Sequence, residues 1–498
     1  MTLRTTAVAA MLAACPFIST PSAFAQAPPA EWPSERPPRP QPARRVAFPP
    51  YEIKTLPNGL RVVVVQQHEQ PVISLRLLVR AGAAADPKGK AGLATLASAL
   101  LDQGTKTRSA SQIADAIDYI GGGLGTGAGT DLSFLNVIVM KDSFEQALTL
   151  LSDVARNPAF APEELDRQRS QILNGLKVSY EDPEYVADAV IDRLVFGFHP
   201  YGRPGSGTPD TVASITREDL LTFHQTYFAP NNAILAVVGD TTPEEALAGV
   251  TKAFGDWAKK DIPPPTSLQP PDPTRRVIVV DRPDAVQTEI RVGQIAIQRN
   301  HPDYLALNVA IKILGGEGGN RLQGVLRSDR GLTYGAAADM NAYKQTGAIV
   351  ADTDTRTETT IEALRVMVDE FFRLQRDRVV DGELASAQAY LAGNFPLTIE
   401  TSDAIALQVL NALFYELDLK ELETYRERVN GVTPDDIQRV ARAYLKPGRL
   451  SVVLVGNASA FVKQLKEAGF DEIELVRLAD LDLTTVDFRK GAKPAAGG

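Results

Sequence analysis

The chain has 498 residues, 44% hydrophobic and 23% charged, an ordinary balance for a protein too long to fold around one core. Its 52 basic and 61 acidic residues leave a net charge of −9, which argues against nucleic acid as a partner. Cys15 is the only cysteine, so once an N-terminal signal is removed there is no disulfide and no thiolate nucleophile.

Arg4 is the only charge in the first 25 residues, an apolar run extends from Ala7 to Ile18, and Ala23-Phe24-Ala25 is an A-x-A cleavage site. These features predict export from a bacterial cytoplasm, with a periplasmic or secreted product. The rival is a lipoprotein box, Leu12-Ala13-Ala14-Cys15, which would leave a lipid anchor at Cys15. The uncharged stretch Phe17 to Ala25, ending in a good cleavage site, favours simple removal of residues 1–25. Residues 26–50 are rich in proline and read as an extended leader.

The globular part starts near Tyr51. Arg61 to Gln66 (RVVVVQ) and Ile73 to Arg80 (ISLRLLVR) are strand-like, with a turn at Leu56-Pro57-Asn58-Gly59 before the first. The apolar spacing of Leu93, Leu96, Ala97 and Leu100 predicts a helix of about three turns between Gly92 and Gly104. A strand at Leu132 to Met140 follows, then helices near 143–156, 162–180 and 183–196. Another helix opens at Thr216, with Asp219 in capping-box position, and Ala233 to Val238 is a strand.

Asp261 to Pro273 (DIPPPTSLQPPDP) is the clearest linker, and after it the pattern restarts. Arg276 to Asp281 and Thr288 to Ile297 are predicted strands, and His301 to Leu314 a helix. The segment ITREDLLTFHQTYFAPNNAILAVVGD from Ile215 aligns without gaps to VTPDDIQRVARAYLKPGRLSVVLVGN from Val432. Thr216 meets Thr433, Asp219 meets Asp436, Tyr227 meets Tyr444, Pro230 meets Pro447 and Gly239 meets Gly456, each at an offset of 217. The chain therefore reads as two copies of one α+β unit, 51–260 and 275–485, joined by a 261–274 linker, with a loose tail from 486.

The stretch GLATLASALLDQGT, Gly92 to Thr105, is similar to the frame GLAHxxEHxxxxGT of the pitrilysin/insulinase family, the inverted zincins. A catalytic zinc needs three donor side chains and an open position for water. At the positions where that family has ligand, base and ligand, this chain has Thr95, Ser98 and Ala99. The later run RSQILNGLKVSYEDP is similar to the family's RxVILEEIxxxxDDP, and its ligand position falls on Gly175. The frame is kept while the ligands and the base are gone. The four histidines, His68, His199, His224 and His301, are not paired at ligand spacing.

The second half contains LGGEGGNRLQGVLRSDRGLTY, Leu314 to Tyr334, similar to the family's glycine-rich loop followed by R-L-x-x-x-L-R-x-x-x-G-L-x-Y. By that resemblance Arg327 and Tyr334 hold substrate and stabilise the charge that builds on an attacked peptide carbonyl. Gly315, Gly316, Gly318 and Gly319 would form a mobile loop over the cleft, or simply a connector that ends the preceding helix. The same resemblance implies two halves of mixed, mostly antiparallel sheet and helices in a clamshell. It implies no cofactor in this chain, zinc in a homologous HxxEH partner, and an unfolded peptide as substrate. The alternative is a non-catalytic binding or scaffold protein; a stand-alone metalloprotease is opposed by Thr95, Ser98, Ala99 and Gly175.

Overall fold

The computed structural model describes residues 48–491 except 266–268, 270, 271, 273, 274, 317, 318 and 471. The signal segment, most of the proline-rich leader, Gly318 and the last seven residues lie outside the described set.

Among the described residues, twelve strands form two six-stranded sheets. The first contains β1 (Tyr51–Thr55), β2 (Arg61–Gln66), β3 (Val72–Val79), β4 (Gly123–Ala128), β5 (Ser133–Met140) and β6 (Ala233–Gly239), in the order β1-β2-β6-β3-β5-β4. The second contains β7 (Val277–Asp281), β8 (Gln287–Ala296), β9 (Ala336–Ala342), β10 (Gly347–Arg356), β11 (Ser451–Gly456) and β12 (Ile473–Arg477), in the order β12-β7-β11-β8-β10-β9. Five strands correspond one to one. The sixth comes from opposite ends of the repeat: β1 joins antiparallel at the start of the first half, β12 parallel at the end of the second.

The repeat read from sequence is a repeat in space. Thr216 and Thr433 both cap helices through reciprocal bonds, Arg217–Tyr227 with Asp219 and Pro434–Tyr444 with Asp436. Each helix leads into the most buried strand of its sheet, β6 or β11. Differences are local. The helix expected between Gly92 and Gly104 is shorter, Leu93–Ala99. The glycine-rich β4 (GLGTGA) has no propensity signal of its own and exists through its ladder to β5. The tail begins later than 486, because Phe488 is fully buried and Lys490 N–H donates to Asp480 O.

Each sheet has one face on helices of its own half. The opposite face is covered by a helix from the other half. Helix Pro183–Phe196 lays Val186, Val190, Ile191 and Leu194 on Ile278, Val280, Val453 and Val455 of the second sheet. Helix Ser402–Phe414 lays Ile405, Val409, Leu410 and Leu413 on Val63, Val65, Ile234 and Val238 of the first. This is why the central strands are continuous apolar runs rather than alternating ones: both of their faces are dry.

Each exchanged helix is pinned by an ion pair. Arg291 on β8 meets Asp188 at 2.6 Å, and Arg76 on β3 faces Asp403 at 3.8 Å. The arginines are 215 residues apart and so are the aspartates, so the pairs are repeat-related. Cutting the chain at a protease site inserted between Pro264 and Pro265 is therefore expected to leave the two fragments associated. Co-elution on gel filtration checks this, and separation without denaturant would contradict it.

Candidate functional site

A helix begins at Arg321, where Asn320 Oδ1 accepts from Gln323 N–H at 2.7 Å, and Gln323–Asp329 is wound as a π-helix. Such wide turns are rare and concentrate at functional sites. Leu322 and Leu326 anchor its inner side, fully buried. It ends at Gly331, in the left-handed region at φ 61°, with Leu332 N–H donating to Leu326 O. Thr333 then ties the next turn by donating to Gly335 O and accepting from Gly335 N–H, and Thr353 of β10 donates to the same carbonyl.

These bonds fix the backbone on either side of Tyr334 and leave its side chain out: Tyr334 is 82% exposed. The Arg327 guanidinium carbon sits 4.7 Å from the Tyr334 ring centroid, a cation–π stack. Neither the guanidinium nor the phenol hydroxyl hydrogen-bonds to a described residue, so the donors of both face solvent. The fold thus brings together the two residues that the sequence singled out.

The glycines before them have a packing role. Gly315 is buried at the end of helix Tyr304–Gly315, where a Cβ would lie 2.1 Å from Ala338 N on β9. At Gly316 a Cβ would lie 2.7 Å from Lys312 Cα. Gly315 belongs to the helix rather than to a loop, and Gly319 is exposed beyond it. Gly315→Val is expected to cost about 3 kcal/mol in urea unfolding, by forcing the helix off β9. Gly324→Ala, where a Cβ meets nothing within 4 Å, is expected to change stability by less than about 1 kcal/mol.

Tyr334, Gly315 and Gly316 line a cleft of about 670 Å³ together with residues of β8, β9 and β10 and with Glu184 from the exchanged helix. The charged floor of this cleft went unnoticed in the sequence. The available signal was the alternation of charge along Glu289-Ile290-Arg291 and Asp352-Thr353-Asp354 in otherwise strand-like runs.

The degenerate metal positions lie elsewhere, and none of them lines the Tyr334 cleft. Helix Leu93–Ala99 is capped by Asp86, whose carboxylate accepts from the N–H groups of Gly92, Leu93 and Ala94 at 2.8, 3.2 and 2.8 Å. Burial pushes that carboxyl up to about 7 against the pull of the three N–H bonds and of Arg203. Thr95 Oγ1 donates to Gly205 O at 2.7 Å, and Ser98 is completely buried. Gly175 is exposed, with nothing within 4 Å of a Cβ there.

These positions do not fit a zinc ion: one hydroxyl is engaged by a carbonyl, another is enclosed, and two positions have no donor. Among the described residues no group of three or more His, Cys, Asp or Glu side chains could hold a metal. The histidines are dispersed. His68 pairs with Asp240, His199 Nδ1 accepts from Tyr201 N–H, His224 Nε2 donates to Ala155 O, and His301 Nδ1 accepts from Asp303 N–H.

Two repeat-related mixed sheets with exchanged helices define the class as a two-unit α+β fold, with the Arg327–Tyr334 stack beside one of its clefts. Residues 61–208 match the family described as Insulinase (Peptidase family M16), and 214–391 match its Peptidase M16 inactive domain. The chain belongs to the pitrilysin/insulinase family of M16 peptidases. An uncharacterized zinc protease of Mycobacterium leprae (strain TN) is 27% identical over 415 residues, covering 81% of this chain and 92% of that protein. A probable mitochondrial-processing peptidase subunit beta of Arabidopsis thaliana is 24% identical over 434 residues, covering 82% and 79%. Among solved structures, a peptidase M16 inactive domain from Pseudomonas fluorescens superposes with a TM-score of 0.78 at 27% identity, covering 82% of this chain and 98% of that one. A Helicobacter pylori protease of 22% identity shares the fold, with a TM-score of 0.77 over 82% and 99% of the two chains.

Proposed function

We propose that this chain is the exported, zinc-free subunit of a two-chain M16 peptidase. It binds an unfolded peptide and supplies Arg327 and Tyr334 as transition-state contacts, while a homologous partner with an HxxEH helix activates the water. The observation that carries the reading is the stacked Arg327–Tyr334 pair, exposed and without hydrogen bonds beside an open cleft, in a chain whose metal positions have no usable donors. A guanidinium fork and a phenol O–H aimed at a developing oxyanion stabilise the transition state more than the substrate. The strand β9 ends its sheet, so an extended peptide can pair with its outer edge. The word "subunit" in the Arabidopsis relative's name is consistent with divided labour. Export through residues 1–25, to the periplasm or outside the cell, belongs to the same proposal and rests on the Ala23-Phe24-Ala25 site.

The test is to purify this chain, an HxxEH homologue encoded beside it, and their mixture, then assay peptide cleavage and bound zinc. Cleavage is expected only in the mixture, with zinc in the partner. Stoichiometric zinc and robust proteolysis in this chain alone would overturn the proposal. A second reading, a non-catalytic scaffold, would be supported by a stable complex whose peptidase activity does not depend on this chain.

A further inference from the structure

The first sheet ends in a bare strand. β1 is its outermost strand, and Glu52, Ile53, Lys54 and Thr55 are all exposed. The direction of its backbone groups can be read from bonds at its two ends. Gln66 N–H donates to Pro50 O at 3.0 Å and Leu56 N–H to Leu60 O at 2.9 Å, in the register that sets Glu52 opposite Val64 and Lys54 opposite Val62. Hydrogen-bonded and non-bonded pairs alternate along an antiparallel ladder. Glu52 and Lys54 therefore turn their backbone groups to β2, while Tyr51, Ile53 and Thr55 turn theirs to the free edge. The matching edge of the second sheet is treated differently. On β12, Arg276 holds Glu474 through bonds of 2.9 and 2.8 Å, and Arg489 donates to Leu475 O at 2.7 Å. On β1 the exposed Glu52 and Lys54 make no side-chain hydrogen bond or ion pair to a described residue.

The edge is complementary to itself. Two copies of β1 set antiparallel about a two-fold axis at Glu52 would place glutamate against glutamate, and an axis at Lys54 would place lysine against lysine. Either choice also leaves one outward-facing residue without a partner on the other strand. An axis at Ile53 does neither. Ile53 then meets Ile53 of the second copy, and Tyr51 meets Thr55 twice, so every outward N–H and C=O is used, about six hydrogen bonds in all at two per bonded pair. In the same register Glu52 lies directly opposite Lys54 of the other copy, again twice, in the non-bonded pairs where side chains approach most closely. The two charges share the face of Val62 and Val64, and Ile53 lies on the other, beside Val63. A lone lysine on an edge strand deters pairing; a glutamate and a lysine two residues apart on one face, with the axis between them, favour it.

We infer that β1 is a docking edge for a second copy of this chain, joining two first-half sheets into one continuous sheet across a two-fold axis at Ile53. Pro50 and Pro57 bound the strand and keep the ladder short, and a two-fold contact of this kind closes at two copies. The contact uses no residue of the Tyr334 cleft, which belongs to the second half, and does not depend on the role proposed for Arg327 and Tyr334.

The experiment is sedimentation velocity on the purified chain over a range of concentrations. A five-residue edge contact falls at the small, transient end of interfaces, so a monomer–dimer equilibrium with a Kd of about 10–100 µM is expected. Ile53→Pro removes an outward N–H and no bond to β2, and should weaken the dimer at least about tenfold. Glu52→Lys and Lys54→Glu should each weaken it similarly, by opposing like charges. An equimolar mixture of the Glu52→Lys and Lys54→Glu chains should dimerise again as the parent does, because the lysines of one then face the glutamates of the other, a recovery that misfolding cannot produce. A parent that remains monomeric well above the expected Kd, single variants that dimerise as the parent does, or a mixture that fails to recover would each overturn the inference.

Discussion

Arg327→Ala in the two-chain complex is expected to lower kcat by about 10²–10³-fold, the usual loss when one donor to a developing oxyanion is removed. Tyr334→Phe keeps the ring under the guanidinium and deletes only the hydroxyl, so a smaller loss, about tenfold, is expected with KM little changed. On the proposed role the two substitutions together should cost less than the product of their separate effects, because the side chains stack on each other and would contact one substrate group. Neither side chain hydrogen-bonds to a described residue and Tyr334 is 82% exposed, so the fold is expected to survive both changes, which an unchanged urea midpoint checks. A complex of full activity with both changes would show that the pair is not used.

Acid should destabilise the chain through His224. The imidazole is buried between Phe160 and Phe228, stacked on the latter with centroids 4.6 Å apart, and its Nε2–H is committed to Ala155 O at 2.9 Å. Burial holds it neutral and drives its pKa down to about 4 from an ordinary 6.5, with Lys260 and Lys106 pushing the same way. The folded state therefore binds the proton less well than the unfolded chain. The stability is complete above about pH 6.5 and is lost as pH falls toward 4, by roughly 3 kcal/mol in total. Asp86 works in the opposite direction, since its carboxyl is raised by burial and gains its proton as pH falls from about 7. The clean measurement is thus the difference between the parent and His224→Gln in urea unfolding from pH 7.5 to 4.5. The parent should lose stability relative to the variant as pH drops; a constant difference would refute the assignment.

Much was legible in the chain itself. The 217-residue offset, the capping pairs Thr216–Asp219 and Thr433–Asp436, the central apolar strands and the loss of donors at Thr95, Ser98, Ala99 and Gly175 are properties of local sequence, and the fold keeps them. Local chemistry could not show which surface the apolar helix Pro183–Phe196 covers. A buried helix advertises that it needs a partner and says nothing of which one, and here the partner belongs to the other half. Nor could it announce β4, where glycines give no strand preference and the ladder to β5 supplies the conformation.

The sequence by itself determined the two-copy architecture, because periodicity and caps are short-range facts, and its resemblance to the family frame singled out the donor-less Thr95, Ser98 and Ala99 and the Arg327/Tyr334 spacing. Tertiary structure alone decided that the halves exchange helices, that Arg327 stacks on Tyr334, and that carboxylates from β8, β9, β10 and the exchanged helix meet on one floor. The reason is that strand register and cross-chain packing set side-chain neighbourhoods between residues as far apart as Asp188 and Arg291, a separation over which no local preference acts.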